Sequence, residues 1–193
     1  MLFAFSTRGL DQNWLNPTII DVIRDGMAAI DAGGTPTVWP NCVPEAQRAK
    51  LNSRSGFRTR LVALWRAYRG LTPAEKSLIQ DAIDQQTKLP AVLANDRPCS
   101  GLDDLPAGIR GAISDLFGYM FDQLAAIKEG SKCIRDIQFS SIYQELGARL
   151  CPYCGLNYFR APGAPRHALD HFMPISRYPF AGSDLRTLPP VCD

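Results

Sequence analysis

The chain has 193 residues, of which 46% are hydrophobic and 21% charged, and a formal net charge of +2 at pH 7. That suffices for one ordinary domain, or one domain with a small satellite, with a core that needs no staples. The near-neutral balance excludes a strongly basic nucleic-acid coat but allows a local basic cleft, and no run approaches the roughly 20 apolar residues of a membrane span.

The N-terminus, Met1 to Ser6, is apolar but short, and Arg8 and Asp11 interrupt it. It reads as a strand or arm rather than an export signal, so a cytoplasmic location without membrane contact is expected. Asn16-Pro17 predicts a helix start, with a cap residue followed by proline at the first helical position. Ile19, Ile20, Ile23, Met27 and Ile30 then recur at helical spacing until Gly33-Gly34. The proline-rich connection from Thr35 to Pro44 is a subdomain boundary candidate. A second helix is predicted from about Gln47 to Tyr68, broken near Ser55-Gly56 and striped with Leu61, Leu64, Trp65 and Tyr68. Thr72-Pro73-Ala74-Glu75 is a capping box, and Leu78, Ile79, Ala82 and Ile83 form the buried face of the helix it opens. A short element spans Leu89 to Leu93, followed by a loop from Asn95 to Gly108. Ile109 to Ile127 carries the strongest helical pattern, with Leu116, Met120, Leu124 and Ile127 on one face. A last helix is predicted between about Ser140 and Leu150. These first 150 residues read as mostly helical and offer no chemistry of their own; their aromatic and Met positions read as core.

Six cysteines need an account. In a reducing compartment a closely spaced pair points to metal rather than to a disulfide. Cys151-Pro152-Tyr153-Cys154-Gly155 is a zinc knuckle in outline: two thiolates can face one ion while proline and glycine turn the backbone so that amides face the sulfurs. A redox C-x-x-C is the competitor, but it usually opens a helix after a strand, whereas Asn157, Pro162 and Gly163 continue this segment as loop. Cys192 is the obvious third ligand. The fourth would fall at position 195 in a second C-x2-C pair, two positions past Asp193. Cys42, Cys99 and Cys133 read as buried free thiols.

Between these cysteines lies Ala168-Leu169-Asp170-His171-Phe172-Met173-Pro174-Ile175-Ser176, then Asp184-Leu185-Arg186-Thr187. Here the chain resembles the HNH (ββα-metal) endonucleases of bacterial type, whose hairpin and helix are clamped by paired C-x2-C motifs. The resemblance implies a mostly α chain: a helical N-terminal region followed by a small zinc-bound ββα-metal motif lacking its final helix. The implied division is 1–45 as a helical or arm region, 46–149 as a helical domain and 150–193 as a partial nuclease motif with a zinc knuckle.

What the resemblance implies for chemistry is specific. His171 would be the general base that activates water, and Asp170 would ligate a catalytic Mg2+ or Mn2+. Cys151, Cys154 and Cys192 would hold a structural Zn2+. Because neighbouring strand residues point to opposite faces, Asp170 and His171 require a bend or strand end. Arg166, Arg177 and Arg186 could line a phosphate-binding face; His167 has no motif role. The family's middle asparagine aligns with Thr187, a partial substitute. Its second metal ligand lies on a helix that the sequence, ending at Asp193, does not reach. Agreement up to Cys192 favours truncation over decay, and this 193-residue form is expected to cleave weakly or not at all. The implied substrate is nucleic acid, double-stranded DNA first. The implied partner is a protein such as an ATPase of an antiviral defence system. The alternative is a non-catalytic zinc module that binds nucleic acid or protein.

Overall fold

The computed structural model describes residues 10–94, 98–146, 150–158, 160–162 and 168–192. The helical spacing seen in the sequence becomes α1 (Leu15–Asp31), α2 (Glu45–Leu51), α3 (Ser55–Arg69), α4 (Pro73–Thr87), α5 (Leu89–Leu93), α6 (Ala107–Ala126) and α7 (Ile134–Glu145). Two small antiparallel pairs complete it: β1 (Lys128–Glu129) with β2 (Lys132–Cys133), and β3 (Ala168–Leu169) with β4 (Pro190–Val191). The described chain is mostly α, as its periodicity predicts. None of its helices is long and apolar enough to cross a membrane.

Helix α6 buries Ile109, Ile113, Leu116, Phe117, Met120 and Leu124. In the same cluster α3 buries Phe57, Leu61, Leu64, Trp65 and Tyr68. Each such side chain removed from water stabilises the fold by about 1.5–3 kcal/mol before entropy is counted. The Thr72–Glu75 capping box forms as read: Glu75 N–H donates to Thr72 Oγ1 (3.4 Å), and Thr72 N–H donates to the Glu75 carboxylate (2.9 Å). The predicted break near residue 55 falls at 52–54, between α2 and α3.

Two expectations shift. Asn16 is not a cap. Helix α1 starts at Leu15, two residues before the predicted first position Pro17, and Asn16 sits 3% exposed with its Nδ2 donating 3.2 Å to the Phe180 carbonyl. Pro17 is tolerated because the first-turn N–H groups have no intrahelical acceptor. The last helix runs Ile134–Glu145 rather than 140–150, because a hairpin turning at Gly130 (φ +67°) precedes it and Ile134, Gln138, Phe139 and Ile142 form its buried face. The predicted N-terminal strand or arm lies largely outside the described residues.

The C-terminal segment is anchored in the helical body. One apolar cluster runs from Leu15 through α6 to Phe180, Leu185 and Leu188. The Phe180 ring meets Phe117 edge-on, with centroids 5.1 Å apart. Four amide side chains clamp the same loop. Asn13 accepts from Leu185 N–H (2.9 Å) and donates to Asp184 (3.0 Å). Gln86 accepts from Phe180 N–H (2.9 Å), Gln138 donates to the Leu185 carbonyl (3.2 Å), and Asn16 holds Phe180 as above. Buried backbone must be paired, and here helices and their flanks supply the partners to a loop whose own regular structure is one short 3-10 turn, Leu185–Thr187.

Candidate metal centre

Leu150 and Tyr158 form an antiparallel bridge that closes the base of a turn. Inside it, Cys151 N–H donates to the Asn157 carbonyl (2.8 Å) and Gly155 N–H to the Cys151 carbonyl (2.9 Å). Gly155 sits at φ +64°, a left-handed conformation that a side chain would oppose. The turn directs the Asn157 and Leu156 N–H groups at the Cys154 sulfur, and these donors pull that thiol down to about 7. Hydrogen bonds from backbone amides stabilise a thiolate, the form that binds metal.

The third cysteine arrives along the hairpin. Ala168 pairs with Val191, and Leu169 with Pro190. Asp170 N–H to the Pro189 carbonyl (3.1 Å) and Phe172 N–H to the Thr187 carbonyl (2.9 Å) continue the pairing. Cys192 follows β4 directly. Its Sγ stands 3.7 Å from Cys154 Sγ, and the sulfurs of Cys151, Cys154 and Cys192 all lie within 4.8 Å of one another. Tetrahedral thiolates at about 2.3 Å from zinc stand about 3.8 Å apart, so the cluster has the dimensions of a zinc site without being a disulfide. The Cys192 thiol is pushed up to about 11, chiefly by its hydrogen bond to Cys151, as expected of sulfurs sharing protons where an ion would replace them. These three residues can therefore hold a metal ion such as zinc; among the described residues no fourth His, Cys, Asp or Glu joins them.

Tyr153 feels both Cys151 of this cluster and Asp170. Its ring packs on Phe172 (centroids 5.0 Å), and its hydroxyl pKa is raised by burial and by the charges of Asp170 and Cys151. Sequence reading assigned Tyr153 no role; as one residue between two cysteines, it gave no signal. Asp170 lies just past the end of β3, with its side chain 65% exposed, while the His171 side chain is 14% exposed. The strand end that the sequence required is there, and the two residues diverge. Asp170 Oδ1 caps the His171 N–H (2.8 Å) but stays 3.9 Å from Nδ1.

The His171 ring packs on Phe121 of α6, with centroids 4.7 Å apart. Its Nε2 is buried without a hydrogen-bond partner. Burial lowers its pKa, while Asp170 and the Gly182 backbone pull the other way. The imidazole is therefore neutral at neutral pH, and its free nitrogen is shielded. Thr187 fills the position assigned to the loop-bracing asparagine. It is fully buried, and its hydroxyl donates toward the carbonyls of Asp184 (2.8 Å) and Ala181 (3.1 Å).

Of the three predicted phosphate-facing arginines, Arg177 and Arg186 are described. Arg186 is bound to buried Asp184 through Nε (2.9 Å) and a terminal nitrogen (2.7 Å). Arg177 is exposed, lies over the Tyr178 ring, and accepts Leu102 N–H at its carbonyl. Arg166 and His167 lie outside the described residues. Cys42, Cys99 and Cys133 are free thiols away from the cluster; Cys133 is buried and the other two half-buried. No family model, curated protein or solved structure matches this chain.

Proposed function

We propose that the protein is a metal-dependent endonuclease of the HNH type, acting on the phosphodiester bonds of nucleic acid, with DNA, double-stranded first, as its substrate. The observation that carries this reading is what one short hairpin holds: three sulfurs with zinc-site spacing, one of them just past β4, and, just past β3 at the loop end, an outward carboxylate at Asp170 and a neutral imidazole at His171. Zinc on Cys151, Cys154 and Cys192 would fix the hairpin. Asp170 would hold a magnesium or manganese ion, which supplies charge neutralisation at the phosphate; one carboxylate with waters and substrate oxygens is a usual magnesium set. His171 would take the proton of the attacking water. Because Nε2 is buried, that role requires it to be uncovered.

The shielding of Nε2 favours a second reading, a zinc-clamped binding module without catalysis, whose partner could be nucleic acid or a protein such as a defence-system ATPase. Incubating the purified chain with DNA and Mg2+ separates the two. Metal-dependent cleavage abolished by His171→Ala, with zinc content and melting unchanged, supports the nuclease. Cleavage that survives in that variant tells against it.

A further inference from the structure

We infer that the outer face of α3 is a binding groove for single-stranded nucleic acid. Arg58, Val62, Arg66 and Arg69 recur at positions i, i+4, i+8 and i+11, one exposed face of that helix. With Val38 and Trp39 from the preceding connection they line a cavity of about 250 Å³ that contains no carboxylate. Every other described arginine has a partner. Arg24, Arg60, Arg135 and Arg186 meet aspartates, Arg48, Arg54 and Arg110 meet carbonyls, Arg177 meets a ring, and Arg160 is also engaged. Among the described residues, the three arginines without one all line this groove. In a chain of net charge +2, that concentrates uncompensated charge at one place.

The spacing selects the ligand. From Arg58 to Arg69 the helix rises about 16 Å, too far for one small anion and suited to successive phosphates of a strand. The charges are all guanidinium, whose planar fork matches phosphate oxygens. Beside them Val38 (54% exposed) and Val62 (44% exposed) leave an apolar wall open, where an unpaired base can rest. The choice of nucleic acid over an acidic peptide rests in part on the nuclease reading; the arginine row does not.

The test is fluorescence anisotropy of a labelled single-stranded oligonucleotide with the zinc-loaded full chain and no added Mg2+, titrated at several salt concentrations. R58A/R66A/R69A should weaken binding at least tenfold and flatten the log–log salt slope by about 2, the value for three phosphate contacts on a single strand. Circular dichroism and melting check its fold. Should the triple variant unfold, R58Q, R66Q and R69Q are read singly, each expected to weaken binding two- to threefold. Three results would overturn the proposal: wild-type chain that does not bind the strand, folded variants that bind unchanged, or poly-glutamate competing better than unlabelled oligonucleotide at equal charge. Cleavage is read separately with Mg2+ present. Binding with cleavage that His171→Ala leaves intact tells against the nuclease reading alone, and cleavage with unchanged binding in the variants tells against the groove alone.

Discussion

The helical body and the cysteine knuckle are held by different forces. In the body, α1, α3, α4 and α6 bury a continuous apolar cluster, and removal of surface from water is enough to hold it. In the turn from Leu150 to Tyr158 only Cys151 and Pro152 are buried, while Leu156 is 81% and Tyr158 67% exposed. A segment that buries so little cannot offset its own ordering entropy by packing; three converging sulfurs are the means available to it. The hairpin loop between β3 and β4 is intermediate, tied to the body by Phe180 and to the sulfurs by Cys192.

The largest effect that would sharpen this contrast is expected from Cys151→Ser. Zinc sites in small domains contribute on the order of 10 kcal/mol of apparent binding energy, and even outer-shell changes cost about 10–100-fold in affinity. Loss of a ligand should exceed that, read as metal content by mass spectrometry and as the cobalt–thiolate absorption, while far-UV circular dichroism of the body stays near wild type. Collapse of the helical signal would break the contrast.

Phe180→Ala should cost about 3–5 kcal/mol in urea unfolding, because a fully buried ring leaves a cavity against Phe117. Thr187→Val keeps the volume but leaves the Ala181 and Asp184 carbonyls without the hydroxyl, a loss of about 1–3 kcal/mol by the same measurement. His171 supplies a pH test. Its folded pKa lies below the ordinary value of 6.5 because burial disfavours the cation. The unfolded chain therefore binds the extra proton first, and the stability contributed is present above that value and lost as pH falls through it toward the folded pKa. Melting followed from pH 7.5 to 5 should show a decline that His171→Phe reduces; an unchanged decline would mean the ring is not buried in solution. Thr72→Ala removes a cap far from the sulfurs and should cost about 1 kcal/mol with zinc affinity untouched.

The same contrast explains what could be read in advance. Local chemistry was legible: the Thr72 capping box, the spacing of Ile109, Leu116 and Met120, and the C-x2-C turn each declare themselves within a few residues. Cys192, 38 residues from Cys154, was readable as a ligand only because cysteine is rare and the intervening residues suggest a hairpin. Partnerships between distant polar groups were not legible. Asn16 looks like a cap and serves as a clamp on Phe180. Gln86 and Gln138 look like ordinary helix surface, yet both are fully buried. Arg186 looks free and is held by Asp184. Polar side chains follow no period, so their partners emerge only when the helices have packed. The α3 arginine face was written at helical spacing, but that no described carboxylate pairs with it is a property of the folded surface.

The clamped loop also sets how the sulfurs are presented. Cys151 and Cys154 are neighbours in any conformation, whereas the Cys192 thiol reaches them only when Asn13, Asn16, Gln86 and Gln138 hold the loop on the helices. Folding of the body thus raises the effective molarity of the third sulfur at the other two. An ion that takes all three reports on core helices with which it has no contact, and loosening α1 or α4 should make this centre leak metal long before the chain unfolds.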